Sequence, residues 1–454
     1  MTIEDRLTRA ADEMLAAAES FQPPGIQHGW GLRWRRRLVA GIAVATVMAS
    51  LVATGVWGVS EVIIREIEPA DTEPGPALEW SVVTQAPPVD HVVDLWATGN
   101  GYALWSGDEI WTSPDGHTWE LATTTPPGVF GSDSNHALEE KDGVWFGIGQ
   151  TPQVWRNDGS GWETITLPTE FETGNDLLSA SVRPSQITGS DSGIVVAGTV
   201  TVAPDPEAVL NRFASDVAEG QVVFDDTVMI EDAEGNVVMS VPYDEIDPRL
   251  TSGSPLLAGV LWHSEEGTTW QQDATLDQLP LFLDADKSGF VVITGQPGAP
   301  AELWTSPNGT DWTSATIAFT APTSGNFALS NGAVIATHPN SLSAIDRTGH
   351  SQTISSGEAF NDLDPDWVIG LVDAGPYGVV AAAYDSSVES VPVVAVWYSP
   401  DSEHWSRQDP QDVFGAHGTI ITAVGDDNIV TGHDPRGEAF SALQARFTIW
   451  IGTH

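Results

Sequence analysis

The chain has 454 residues, 41% of them hydrophobic, with 44 Gly, 30 Pro and no Cys. This turn-rich globular composition excludes disulfides, thiolate metal sites and cysteine nucleophiles. The net charge is −46, with Lys141 and Lys287 as the only lysines, so nucleic acid is excluded as a partner because its phosphates would be repelled; no cofactor is indicated.

The first predicted element is a short amphipathic helix in "TIEDRLTRAADEMLAAAES". Thr2 can cap it, Asp5 follows three residues on, and Ile3, Leu7, Met14 and Leu15 fall near one face. "QPPG" at 22–25 ends it. Such a helix either docks a cytoplasmic partner or lies on the inner membrane surface.

Residues 38–59 carry no charge. At helical rise they extend about 33 Å, enough to cross a bilayer core. Arg33, Arg35, Arg36 and Arg37 stand directly before them, which places residues 1–37 in the cytoplasm and everything after the span outside. A cleaved signal peptide would need a shorter apolar run nearer the start, so the segment reads as an anchor in the lipid bilayer. Residues 1–37 hold five acids and six bases, leaving 58 acids and 11 bases beyond them; the acidity is extracytoplasmic. Residues 60–76 are Pro-rich and acidic, an extended spacer.

From residue 77 the chain repeats. "WTSPDGHTW" (111–119) returns as "WHSEEGTTW" (262–270), "WTSPNGTDW" (304–312) and "WYSPDSEHW" (397–405), and one residue shorter as "WRNDGSGW" (155–162). The turn residues are Ser113, Asp115, Gly116 and Trp119; Asn157, Asp158 and Trp162; Ser264, Glu266, Gly267 and Trp270; Ser306, Asn308, Gly309 and Trp312; and Ser399, Asp401 and Trp405. A Ser and an Asp or Asn beside a Gly hydrogen-bond their own backbone, and Gly supplies positive φ. Each segment is therefore expected to be a β-hairpin with a structural, self-satisfied turn. "AIDRTGHSQ" (344–352) keeps the length, with Asp346 and Gly349, and loses both Trp.

Seven inner hairpins alternate with these outer ones: a turn followed by an apolar run, as in "ATGNGYALW" (97–105), "DGVWFGIG" (142–149) and "DKSGFVVITG" (286–295). Continuous apolar runs fit strands buried on both faces. The last outer hairpin is split between "RFTIWIGTH", with Trp450, and "ALEWSVVTQ", with Trp80. Joining the two would close a ring of four-stranded units. The expected fold is an all-β, seven-bladed β-propeller over 77–454, with terminal-blade closure and with six or eight blades as alternatives.

Most loops on the face opposite the Trp-framed turns are short. The exceptions are an insertion at about 201–255, with a predicted hairpin at "EGN", and the segments 384–392 and 433–446. All three are expected on one face, where a ligand would sit.

The outer hairpin resembles the Asp-box, or BNR, repeat, Ser-x-Asp-x-Gly-x-Thr-Trp, in a variant one residue shorter: "SPDGHTW" at 113–119. That family implies a propeller and includes sialidases, receptors, an assembly factor and glycosidases. The layout also resembles single-pass bacterial surface proteins with an external propeller. A sialidase would need converging arginines, a Tyr nucleophile and an acid. Arg156, Arg183, Arg212, Arg249, Arg347, Arg407, Arg436 and Arg446 are available, but the Phe-Arg-Ile-Pro signature is absent, and Tyr398 falls inside an outer hairpin. Motifs for other hydrolases are missing. "NDLDPDW" sets Asp362, Asp364 and Asp366 at alternate positions, with Asp373 at the twelfth place, like the start of a calcium loop; Trp367 stands where such a loop needs Gly. The expected function is non-enzymatic binding or sensing of a protein or glycan outside the cell. The alternatives are a surface glycoside hydrolase and a transmembrane regulator acting through the cytoplasmic helix.

Overall fold

The computed structural model describes residues 77–454 except 90–91, 126–136, 170, 172, 215–220, 225–226, 234, 251–254, 297–298, 321–325, 339–340, 355–359, 361–363, 365, 388–392, 403, 415–418, 435–447 and 454. The helix, span and spacer expected over 1–76, together with Asp362 and most of 384–392 and 433–446, lie outside the described residues. Among the described residues no helix is long and apolar enough to cross a membrane.

The chain enters on β1 (Glu79–Val82). Sheet one follows as β2 (Asp94–Thr98), β3 (Gly101–Trp105), β4 (Glu109–Ser113) and β5 (Glu120–Thr124), and sheet two as β6 (Leu138–Lys141), β7 (Val144–Ile148), β8 (Gln153–Asn157) and β9 (Trp162–Thr166). Sheet three is β10 (Leu178–Ser190) and β11 (Gly193–Pro204). It is interrupted by α1 (Pro206–Phe213), β12 (Gln221–Phe224), β13 (Val228–Glu231), β14 (Val237–Val241) and α2 (Tyr243–Ile246), then completed by β15 (Leu256–Ser264) and β16 (Gln271–Leu276). Sheet four is β17 (Leu279–Asp286), β18 (Gly289–Gly295), β19 (Pro300–Ser306) and β20 (Thr313–Thr320); sheet five is β21 (Phe327–Ser330), β22 (Ala333–His338), β23 (Ser341–Ile345) and β24 (Ser351–Ile354). Sheet six is β25 (Trp367–Gly375), β26 (Gly378–Asp385), β27 (Val393–Ser399) and β28 (Ser406–Gln408), followed by α3 (Pro410–Phe414). Sheet seven is β29 (Thr419–Val424), β30 (Ile429–Asp434) and β31 (Thr448–Thr453), with β1 as its fourth strand.

All pairings are antiparallel, and strands one to four of each sheet lie in chain order; only β1 is recruited from the far end of the chain. Trp80 pairs with Gly452 and Val82 with Trp450. The first strands β2, β6, β10, β17, β21, β25 and β29 touch in cyclic order, and β29 returns to β2. Apolar cores fill each gap. Trp105 and Ile110 meet Leu138 and Trp145; Phe146 and Val154 meet Ile194 and Trp262. Leu104 and Tyr102 meet Val430 and Ile451 across the closing seam. This is a β-propeller.

Burial explains the sequence pattern. Second strands are buried along their length, β18 at every residue, because neighbouring sheets cover both faces. Fourth strands such as β5 are mostly exposed. The antiparallel order puts the turns between strands one and two, and between three and four, at one end of the ring. Gly101, Gly289 and Gly378 are needed there. Each has positive φ, and a Cβ on it would collide with the carbonyl of Ser113, Ser306 or Ser399, at the start of its own sheet's outer turn.

The insertion leaves from the opposite end. β11 continues to Pro204, so the inserted unit begins at Asp205, which caps α1 through Ala208 N–H (2.9 Å). The "EGN" hairpin forms between β13 and β14, with Gly235 at φ +79. Beyond the expected hairpin, a third strand and two helices complete a unit with its own core of Val209, Val228, Ile230, Tyr243 and Leu250. Arg249 fixes it by bonding Asp247 (2.8 Å) and the Thr173 carbonyl (2.9 Å).

Candidate binding site at the mouth of the axial channel

The Trp-framed turns satisfy themselves. Asp115 Oδ1 accepts from His117 N (2.8 Å), Thr118 N (3.0 Å) and Ser113 Oγ (3.2 Å), which holds its carboxyl below the usual range. Trp119 Nε1 donates to Gly116 O at 2.8 Å. Gly116 itself has φ +76, and a Cβ there would lie 2.6 Å from Val430 on sheet seven. Asn308 repeats the pattern, accepting from Thr310 N (3.1 Å) and Asp311 N (2.9 Å), while Gly309 N donates to Ser306 Oγ (2.9 Å) and Trp312 Nε1 to Gly309 O (2.8 Å). In the short turn Asn157 Oδ1 accepts from Gly159 N (2.9 Å), Asp158 from Ser160, and Trp162 Nε1 reaches Thr124 O on sheet one (2.7 Å).

Two turns deviate. In 264–270, Gly267 N bonds Ser264 Oγ (2.8 Å), but Glu266 makes no hydrogen bond among the described residues and Trp270 Nε1 has no partner. A glutamate is one methylene too long for the local turn. In 397–405, Asp401 accepts from His404 N (2.8 Å) and Ser399 Oγ (3.2 Å), and Trp405 Nε1 bonds Ser402 O (3.1 Å); Ser402 occupies the glycine position at φ +66.

The inner turns do something different: they converge. Gly99–Asn100, Glu139–Asp142, Gly189–Asp191, Ala285–Lys287 and Asp426, from five sheets, line one cavity of about 640 Å³ around the axis. Both lysines of the chain stand on its wall. Lys141 is held by Asp142 at 3.2 Å, and Lys287 is exposed at the rim. Asp286 is bound by Arg347, which crosses from the outer turn of sheet five (2.6 Å). Glu140 accepts from Gly143 N at 2.6 Å.

Below the rim the first strands carry a ring of side chains at one register level, two residues before each strand's last paired position: Trp96, Glu139, Thr188, Asp284, Ala328, Asp373 and Thr422. Three of the seven are carboxylic acids. Asp373 accepts from its own neighbour Ala374 N (2.8 Å) and, across to sheet seven, from Val424 N (3.1 Å). Asp284 accepts from Ala285 N (2.7 Å), and Asp94, one step deeper on β2, from Leu95 N (2.8 Å). Loss of hydration pushes the Asp373 carboxyl up to about 7, and the nearby Asp284 and Asp94 charges add to the shift. The same loss of water, reinforced by Asp284 and Glu140, holds Glu139 well above the usual carboxylate range. Thr422 is buried, and its hydroxyl has no hydrogen-bond partner among the described residues; the Trp96 indole N–H has none either.

The cavity thus opens at the end opposite the insertion, not on the long-loop face expected from the sequence. Among the described residues no arginine lines it. Arg156 bonds Asp158 and Glu163, Arg407 lies over Trp367 and Trp397, and the Tyr398 hydroxyl donates to Tyr377 O. Asp364 Oδ1 accepts from Asp366 N (3.1 Å) in a local turn, and among the described residues no three carboxylate or imidazole groups are placed to share a metal ion. Asp373, at the twelfth place of that pattern, lies in the ring. The acids of the ring escaped the sequence reading, although one signal was present: a carboxylate shortly before the inner turn, following an apolar residue, as in "HALEEKDG", "LFLDADKSG" and "GLVDAGPYG".

No protein-family model matches the chain and no curated protein matches it. Solved structures do. YCF48 bound to D1 peptide is 12% identical, covering 84% of this chain and 97% of that one, with a TM-score of 0.44. Virginiamycin B lyase from Staphylococcus aureus is 12% identical (83% and 99% covered, TM-score 0.39), and the WD40 beta propeller domain of Doa1 is 11% identical (82% and 97%, TM-score 0.38).

Proposed function

We propose that the chain is a non-enzymatic, membrane-anchored binding or sensing module: a seven-bladed propeller built on Asp-box-like hairpins, held outside the cell by residues 38–59, with residues 1–37 in the cytoplasm. Its ligand is a protein or glycan. The observation that supports binding is the axial cavity, where turns from five sheets meet around buried polar groups; concave sites with a few convergent polar groups are where ligands bind. The charge-free span and its arginine flank support the anchor.

The test uses the purified full-length chain in detergent. It is mixed with envelope fractions of the source cell, before and after protease treatment. Retention that survives protease indicates a glycan, and retention lost with protease a protein. Replacing 205–255 by a short Gly-Ser linker should leave retention intact, since the cavity lies at the other end. Absence of any retention overturns the binding reading. The anchor is checked separately: the chain should stay in the membrane pellet at high pH, with an N-terminal tag shielded from external protease.

The reading of the chain as a surface glycoside hydrolase has one observation in its favour. Asp373 holds its proton near neutrality, as a general acid must. Turnover of aryl glycosides that disappears in Asp373→Asn would favour it.

A further inference from the structure

We infer that the free edge of β14, on the insertion, is a docking site for an extended peptide segment of a partner protein, with a short alternating apolar stretch between basic ends. The inference goes beyond the axial cavity and adds a second surface at the other end of the ring.

The insertion carries a three-stranded sheet in the order β12-β13-β14. β14 pairs with β13 from Val241, opposite Val228, to Val237, opposite Glu231. No strand pairs with its other side, and among the described residues the backbone of 237–240 makes no hydrogen bond beyond those to β13. Such an edge presents N–H and C=O groups to any chain that can lie extended beside it. Proteins commonly blunt their edges with charge or proline. The propeller does so: the outward strands β5, β9, β16, β28 and β1 carry Glu120, Glu163, Asp273, Arg407 and Glu79. β14 does not. Residues 235–243 are uncharged in a chain of net charge −46.

The edge is also apolar. Val237, Val238 and Met239 are exposed at 53%, 48% and 39%. Met239 pairs with Ile230 and Val237 with Glu231, so Val238 is an extra residue with no opposite number. Within β14 only Val241 turns inward. The insertion's core of Val209, Val228, Ile230, Val241, Tyr243 and Leu250 closes without the three exposed side chains, so folding does not require them to be apolar. Arg249, through Asp247 and the Thr173 carbonyl, ties the unit to the ring, which presents the edge in a fixed orientation and lowers the entropic cost of docking.

Charge chooses the occupant. Asp232 precedes the uncharged run, and the exposed Asp244 and Glu245 follow it. A second copy of the chain, pairing edge to edge and antiparallel, would lay its Asp232 end beside Asp244 and Glu245; parallel pairing would lay each acidic end beside its own kind. Like charges across a strand pair are destabilising. A bilayer surface of anionic lipid meets the same repulsion. An extended peptide with Lys or Arg at each end meets the opposite. Its backbone continues the ladder, its apolar side chains cover Val237, Val238 and Met239, and its ends lie near the acids. Main-chain bonds then supply affinity and the side chains selectivity, as in strand addition generally. The turn at Gly235 and the proline at 242, which has no N–H to donate, limit the paired stretch to the five residues of β14.

The experiment is fluorescence anisotropy of labelled nonapeptides with the full-length chain in detergent, against detergent alone. The probes are Lys-Lys-Val-Thr-Val-Thr-Val-Lys-Lys, the same peptide with Glu for every Lys, and the first peptide with N-methyl groups on its five central residues. The expected result is saturable one-to-one binding of the Lys-ended peptide, weakening as salt is raised from about 0.1 to about 0.5 M, and no binding of the other two. Val238→Lys should weaken binding about tenfold, and Asp244→Asn with Glu245→Gln about threefold. These side chains are exposed, so thermal melting should not move, which separates loss of the site from loss of the fold. Glu120→Gln, on β5, should change nothing, and replacing 205–255 by the Gly-Ser linker should abolish binding. Absence of binding, or binding untouched by Val238→Lys, overturns the inference. Equal binding of the N-methylated peptide means adsorption to an acidic surface and overturns it too. So does a chain that sediments as a dimer and falls to a monomer in Val238→Lys, because the edge then belongs to a second copy. Envelope retention through the cavity does not depend on the insertion. If peptide binding fails while retention persists, only this inference falls; if retention fails while the peptide binds, only the cavity reading does.

Discussion

Replacing Asp373 by Asn should make the protein more stable at pH 8 and less stable at pH 4. The carboxyl sits at about 7 in the folded chain, against an ordinary value of 3.8. A raised acid binds more protons folded than unfolded, so it withdraws stability as pH rises. Below pH 4 both states are protonated and there is no penalty. Between about 4 and 7 the penalty grows by about 1.4 kcal/mol per pH unit, reaching about 4 kcal/mol, and above 7 it is constant. Asparagine removes this term but keeps only one acceptor oxygen, so one of the bonds to Ala374 N and Val424 N is lost, at about 1 kcal/mol. The variant should therefore gain about 3 kcal/mol at pH 8 and lose about 1 kcal/mol at pH 4. For a ring of this size that corresponds to a melting shift of about +4 °C and −1 °C. Scanning calorimetry of both proteins from pH 4 to 8 decides it. Parallel stability profiles would mean that Asp373 is hydrated and ordinary, and that the ring is not a site of proton storage.

Ser402→Gly should stabilise by about 0.5–1 kcal/mol, because serine is strained at φ +66 where the parallel turns carry glycine; an unchanged urea midpoint would count against the strain. Glu266→Asp should restore the missing side-chain bonds of its turn and add about 0.5–1 kcal/mol, seen in the same assay. Arg347→Met, which cuts the link from the outer turn of sheet five to Asp286, should cost about 1–3 kcal/mol in thermal melting. Trp80→Ala should cost about 2–3 kcal/mol, since it removes the bond to Gln408 (2.9 Å) and the packing on Phe414 that hold β1 in place.

The propeller was legible because its signals are local. A Trp-framed turn needs only its own Ser, Asp and Gly, and apolar inner hairpins announce burial on two faces without reference to any partner. Even the split pair around Trp80 and Trp450 showed itself as two arms lacking partners. The site was not legible because it is a property of the axis. Glu139, Asp284 and Asp373 are separated by more than 80 residues each and meet only through register, so each looked like an isolated charge near a turn. Asp373 was drawn into a calcium pattern for the same reason: alternate aspartates before it supplied a local explanation. The insertion shows the same limit. Its "EGN" hairpin was readable, whereas the strand Gln221–Phe224 and the two helices depend on a core assembled at a distance.

The pairing of β1 with β31 fixes more than closure. β1 is the fourth strand of its sheet, so it starts at the end of the ring where the inner turns lie, and Glu79 sits beside Thr453 there. Whatever precedes Glu79 is leashed to the rim that carries the cavity. The spacer of residues 60–76, fully extended, would reach no more than about 60 Å. Anything that enters the cavity therefore does so at the end of the ring from which the chain leaves Glu79 toward its N-terminus.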